Sequence, residues 1–195
     1  KDSRLTIKNV NINSTRTGVI KILKKMNAKI LYKNKKYYKG EAVADIYVES
    51  SNNIKSIKCP SSLNSSAIDE FLIIFLVAAK AKGISTFKSL GELNMKESPR
   101  LNIAIKILRK IGVKVLRVKN DIKIFGQPNL NLKGTYEIKN FRKDHRVFMM
   151  TSIAGLTLGG NWKIYDADSV KTSFPTFFKI LNQLGAKVNW KLEKI

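Results

Sequence analysis

The chain has 195 residues, 44% of them hydrophobic, with 37 Lys plus Arg against 14 Asp plus Glu and a formal net charge of +23. That length can build a real core, since a chain of this size removes roughly 70% of its extended surface on folding. A single cysteine, Cys59, excludes an internal disulfide framework and a cysteine-rich zinc site, and no apolar run reaches the ~20 residues that span a bilayer.

The predicted elements fall into repeated units. Unit one covers about 1–56: a strand at Arg4–Val10, a helix opened by Ser14-Thr15, then strands at Lys29–Tyr32 and Ala44–Glu49. Unit two covers about 57–126: an entry strand at Ile57–Pro60, a helix from Asp69, a strand at Ser85–Phe87, and a helix from Pro99. Strands at Val113–Val118 and Ile122–Phe125 follow, turned at Asn120-Asp121. Unit three covers about 128–195: a strand at Tyr136–Ile138, a helix from Asp144, a strand at Trp162–Tyr165, a helix from Pro175, and a strand at Lys187–Leu192.

Three segments carry the repeat: Thr17–Ile30, Asn102–Val115 and Thr176–Val188. Each is an amphipathic helix around Lys-Ile-Leu, then Asn or Gly, then a strand. Asn27, Gly112 and Gly185 suit a left-handed C-terminal position. Ser98 before Pro99, and Ser173 ahead of Pro175, read as helix starts with a capping hydroxyl. The expected fold is mixed, α+β or α/β: one domain, 1–195, of βαβαββ units. The first unit lacks its leading helix, so the chain is read as starting inside a repeat.

Two readings compete for the charge. One is a polyanion partner; the other is biased composition, rich in Lys, Asn and Ile. The lysines are scattered, and only Lys33-Asn34-Lys35-Lys36 forms a run, expected in a hairpin turn. No RNA-binding aromatic motif is visible, so nucleic acid is not the expected partner; small anionic substrates fit the charge equally well. Cys59 has no His or acid beside it and reads as a filler or surface thiol.

Charged residues gather at helix starts. Arg16 sits in Asn13-Ser14-Thr15-Arg16-Thr17-Gly18, Asp69 in Ile68-Asp69-Glu70-Phe71, Lys96, Glu97 and Arg100 in Lys96-Glu97-Ser98-Pro99-Arg100, and Asp144, His145 and Arg146 in succession. Lys171 and Thr172 precede the last helix. Equivalent ends of a repeated unit are expected on one side of a domain, where positive helix ends and Arg forks suit phosphate and carboxylate groups. Asp69 and Glu97 are then the available proton carriers. Taken singly, each acid at a helix start reads first as a cap, His145 as a structural residue and Arg16 as a loop anchor.

On these motifs, in this order over essentially the whole chain, the sequence resembles the EPSP synthase family, the 3-phosphoshikimate 1-carboxyvinyltransferases, and roughly the C-terminal half of such an enzyme. Thr172-Ser173-Phe174-Pro175 adds to the likeness. The resemblance implies transfer of the enolpyruvyl group of phosphoenolpyruvate to the 5-hydroxyl of shikimate 3-phosphate, in the cytoplasm, without metal or organic cofactor. It implies that Asp69 binds the shikimate hydroxyls and acts as base, that Glu97 moves a proton at the methylene carbon, and that Lys96 lies beside both substrates. Arg100 and Arg146 would clamp phosphoenolpyruvate, with Arg16, Asp144, His145, Lys171 and Thr172 in support.

The partner implied is the remaining half of the enzyme, the whole being a monomer, and the chain alone is expected to lack turnover. Pro99 departs from the family by replacing a polar or acidic residue, and Leu72 stands where Pro often occurs. Thr172 stands where some relatives carry a phosphate-binding lysine, with Lys171 one position earlier. The alternatives are the related UDP-N-acetylglucosamine enolpyruvyl transferases, which lack the paired motifs, and a basic anion- or nucleic-acid-binding module on the same fold.

Overall fold

The computed structural model describes residues 2–187. In chain order it contains β1 (Arg4–Asn11), α1 (Gly18–Lys25), β2 (Lys29–Tyr38), β3 (Glu41–Glu49), α2 (Phe71–Lys80), β4 (Ile84–Phe87), α3 (Arg100–Lys110), β5 (Val115–Val118), β6 (Asp121–Phe125), β7 (Leu132–Ile138), α4 (His145–Leu158), β8 (Gly159–Ile164) and α5 (Phe177–Gln183). Short 3-10 turns precede α2, α3 and α5. The residues group into two compact units, one drawn from Lys1–Leu90 and Val113–Asn129, the other from Gly91–Gly112 and Leu130–Ile195.

In the first unit, β1, β3 and β2 form an antiparallel sheet in the order β1-β3-β2. Ile20 of α1 packs with Ile30 and Ile46, and Val10, Leu23 and Val48 close round them. The alternation along β2 and β3 places these apolar residues on the face turned to α1. A second sheet, β4-β6-β5, backs α2. Its centre is aromatic: Phe71 and Phe75 lie 5.6 Å apart, and Phe87 meets both edge-on at 6.0 and 5.1 Å. Gly18 opens α1 because nothing larger fits; a Cβ there would lie 2.6 Å from the Ser66 backbone.

In the second unit, β7 and β8 pair in parallel, with α4 as the crossover between them. A helix is the usual connection for such a pair. Val147, Phe148, Met150 and Ala154 of α4 are buried, as is Leu181 of α5, and Phe148 meets Phe177 and Phe178 edge-on.

The repeat is visible in the backbone. Asn27, Gly112 and Gly185, each just past a Lys-Ile-Leu helix, have φ of 71°, 80° and 87°. After α1 and α5 the chain closes with the same long bond, Ala28 N–H to Leu23 carbonyl and Ala186 N–H to Leu181 carbonyl.

Several expectations are corrected. Lys33–Lys36 lies inside β2, not in a turn; the hairpin tip is Lys39-Gly40, both at positive φ (49° and 81°), as a twist-matched two-residue loop requires. Asn34, at φ 50°, sits in a bulge that shifts the register instead of ending the strand. The β5–β6 turn is Lys119-Asn120, one residue earlier than expected, with Val118 paired to Asp121. Ile57–Pro60 is reduced to a bridge from Lys58 to Thr86. Neither Ser14 nor Thr15 caps α1, whose N-cap is Thr17 without a side-chain cap bond; Asn13 instead accepts from the Thr15 N–H and hydroxyl. Ser173 does not cap α5, whose N-cap is Thr176. The strand expected at Lys187–Leu192 lies outside the described residues beyond its first position.

Candidate functional site

Each unit contributes predicted site residues. In the first, Arg16 follows the Asn13 turn, its N–H bonded to the Asn13 carbonyl, and its guanidinium lies 3.7 Å from the Asp69 carboxylate. Asp69 stands two residues ahead of α2, with a quarter of its side chain exposed, while Arg16 is 76% exposed. The cation faces water and the acid is partly covered, so Arg16 is the more adaptable member of the pair.

The second unit builds a denser arrangement where the starts of α3 and α4 meet. Asp144 is the N-cap of α4: its Oδ1 accepts from the N–H groups of Arg146 (2.9 Å) and Val147 (3.4 Å). The same carboxylate accepts from Arg100 Nε (2.9 Å) and Nη2 (3.4 Å), and from Ser98 Oγ (2.7 Å). Arg100 is only 1% exposed. A guanidinium so far from water needs its counter-charge at bonding distance, and Asp144 supplies it. Arg100 Nη2 also lies 2.5 Å from Glu97 Oε2, whose side chain is 56% exposed. One buried cation is therefore held between a buried acid and a half-exposed one.

Burial pushes the Asp144 carboxyl up, but bonds from Arg100 and Ser98, the Arg100 charge and the Arg146 N–H outweigh it and hold the group below the usual aspartate value. Asp144 is therefore a fixed anion. Lys96 lies 3.4 Å from Glu92 and keeps about a quarter of its side chain exposed. His145 and Arg146 open α4 and are partly exposed. Lys171 lines a groove of about 490 Å3 with Val170, Pro175 and Phe178; none of Lys96, Glu97, Arg100 or Asp144 lines it. The Thr172 hydroxyl donates to the Ser169 carbonyl at 3.3 Å.

The structure thus brings Glu97, Ser98 and Arg100 of one motif and Asp144 and Arg146 of the other into one network, while Lys96 pairs with Glu92. Arg16 and Asp69 form their own pair. The role of Ser98 is a correction. Helix α3 begins at Arg100 with Pro99 as N-cap and no side-chain cap bond. The Ser98 hydroxyl is drawn away to Asp144, because a bond to a charged acceptor is about twice as strong as one to a neutral group. Cys59 is buried and its thiol is pushed up to about 11 by that burial, so it stays protonated and unreactive at neutral pH.

Comparison with known proteins matches this arrangement to one family. The sequence profile of EPSP synthase (3-phosphoshikimate 1-carboxyvinyltransferase) matches residues 1–181. A 3-phosphoshikimate 1-carboxyvinyltransferase of Thermodesulfovibrio yellowstonii is 40% identical over 183 residues, covering 94% of this chain and 42% of the relative. One from Zymomonas mobilis is 38% identical over 194 residues, covering 98% and 43%. Among solved structures, EPSP synthase from Acinetobacter baumannii superposes with a TM-score of 0.87 at 34% identity, over 94% of this chain and 42% of that one. The enolpyruvyl transferase NikO from Streptomyces tendae shares the fold at a TM-score of 0.70 and 14% identity, over 96% and 40%. The chain thus spans about two-fifths of the length of the relatives it matches. Neither a UDP-N-acetylglucosamine enolpyruvyl transferase nor a basic binding module is favoured by these matches. Taken with the paired motifs, they establish that the chain belongs to the EPSP synthase family.

Proposed function

We propose that this chain supplies part of an enzyme that transfers the enolpyruvyl group of phosphoenolpyruvate to the 5-hydroxyl of shikimate 3-phosphate, releasing phosphate. The observation that carries the reading is the network of Glu97, Ser98, Arg100 and Asp144, built from the two motifs that the family resemblance rests on. Both substrates are anions, and a cationic site of low water content strengthens every contact to them.

The chemistry needs two proton movements. The shikimate 5-oxygen bonds to C2 of phosphoenolpyruvate and loses its proton; Asp69 is the proposed base. C3 gains a proton and gives one back as phosphate leaves C2; Glu97 is the proposed carrier. Lys96 and Arg146 are proposed to hold substrate oxygens, with His145, Lys171, Thr172 and Arg16 in support. Arg100 has a more conditional part. Its Nη2 is engaged by Glu97, so a substrate carboxylate taking that nitrogen would release Glu97 at the moment a proton carrier is required.

The expected partners are the two anionic substrates and the rest of the enzyme, as a cytoplasmic monomer. Among the described residues no helix is long and apolar enough to cross a membrane. Phosphate release from the two substrates tests the proposal. The chain alone should show none, and the chain mixed with the remaining part of a matched relative should show turnover. Clear turnover by the chain alone would refute the shared-site reading. No turnover in a mixture whose parts bind each other would refute the reaction.

A further inference from the structure

We infer that Ser98 is a positioning residue, which holds Arg100, and through it Glu97, in place before a substrate arrives. Three observations meet at this side chain. It is 1% exposed, yet carries a hydroxyl that does not cap the helix it precedes. That hydroxyl donates to Asp144 Oδ2 at 2.7 Å, the same oxygen that takes Arg100 Nε at 2.9 Å. Between them the backbone folds tightly: the Arg100 N–H bonds the Ser98 carbonyl at 2.7 Å across Pro99, whose φ and ψ are −70° and 71°.

Those angles describe an inverse γ-turn. Proline fixes φ near the required value, so the residue that departs from the family pattern presets this turn. Ser98 and Arg100 thereby grip one carboxylate oxygen from both ends of a three-residue loop. Glu97, immediately before Ser98, is left with one anchored neighbour on each side of its ion pair: Ser98 along the chain and Arg100 across the pair.

Without the Ser98 hydroxyl, Asp144 Oδ2 keeps Arg100 Nε but loses the side-chain bond that ties the turn to the carboxylate. Arg100 and Glu97 then sample wider positions, and small misplacement of reacting groups is costly in rate. Asp144 retains its bonds from Arg146 and Val147, so α4 stays capped. The part of this inference that concerns turnover rests on the reaction proposed above; the part that concerns Arg100 does not.

The test therefore has two arms. In the first, the Arg100 Nε–H of the 15N-labelled chain is followed by NMR for exchange with water, its signal identified by loss in Arg100→Lys. Ser98→Ala should speed its exchange about tenfold, as expected for loss of one charge-assisted bond, and Ser98→Thr should restore it. Ser98→Cys, of similar shape with a weaker donor, should fall between and serves if Ser98→Ala does not fold. Unchanged exchange in a folded Ser98→Ala or Ser98→Cys overturns the inference. In the second arm, the chain mixed with the remaining part of a relative should lose roughly ten- to hundredfold in kcat on Ser98→Ala, with little change in KM, and regain it in Ser98→Thr. Lowered stability with kcat intact would mark Ser98 as structural only and overturn the inference. No turnover in the unsubstituted mixture would sink the proposed reaction and leave the first arm to decide this one.

Discussion

Two of the arginine–carboxylate pairs, one in each unit, solve opposite problems. Arg16 and Asp69 lie 3.7 Å apart with side-chain exposures of 76% and 25%, so water screens the pair and Arg16 can leave it at small cost. Arg100 and Asp144 lie 2.9 Å apart with side-chain exposures of 1% and 0%, so neither tolerates loss of its partner. The first arrangement suits groups that exchange partners with a ligand. The second suits groups that keep other residues still. The same two residue types are thus screened and separable in one unit, and buried and mutually dependent in the other.

The sharpest way to break this contrast is Asp144→Ala, which strands the buried Arg100 charge and removes a helix cap; urea unfolding should show a loss of about 3–5 kcal/mol. A related check uses acid. The folded Asp144 carboxyl lies below its usual value, so its contribution is complete above the unfolded value of about 4 and is lost as pH falls through the folded one. Unfolding curves from pH ~6 down to ~2 should be less steeply pH-dependent in Asp144→Asn; an identical slope would argue that the pair is not formed.

Ser98→Ala should come next, at about 1–2 kcal/mol for a lost bond to a charged acceptor. Pro99→Ala should cost less, about 0.4–1 kcal/mol, mainly by freeing the unfolded chain, and thermal melting resolves it. Asp69→Ala should be smallest in stability, within about 1 kcal/mol, yet should abolish phosphate release in the mixture described above. A large stability loss there would erase the distinction between the pairs.

Much of the architecture was legible in the sequence. The three Lys-Ile-Leu helices announced themselves through apolar spacing and through Asn27, Gly112 and Gly185, since a left-handed residue after a helix leaves a local signature. The cap on α4 was legible for the same reason: Asp144 acts within its own turn. The ion pair it makes was not, because Arg100 is 44 residues away and only tertiary packing brings it near. Ser98 misled because serine before proline is a strong helix-start signal, and nothing local shows that a carboxylate 46 residues on competes for the hydroxyl. The full length of β2 is hidden because Lys33-Asn34-Lys35-Lys36 has turn-like composition, whereas pairing with β3 carries the strand on to Tyr38.

That extended β2 gives part of the net charge of +23 a purpose that needs no polyanion. In the described sheet it is a border strand of ten residues, with one side of its backbone unpaired. Such a margin invites other chains to add to it and grow into aggregates. Lys35 and Lys36 stand on this margin, with Lys33 over the Tyr47 ring and Lys29 beside Glu49, and an incoming strand of the same protein would bring the same charges against them. Neutralising these lysines should therefore lower the concentration at which the protein stays dispersed, read by light scattering, without disturbing either arginine pair.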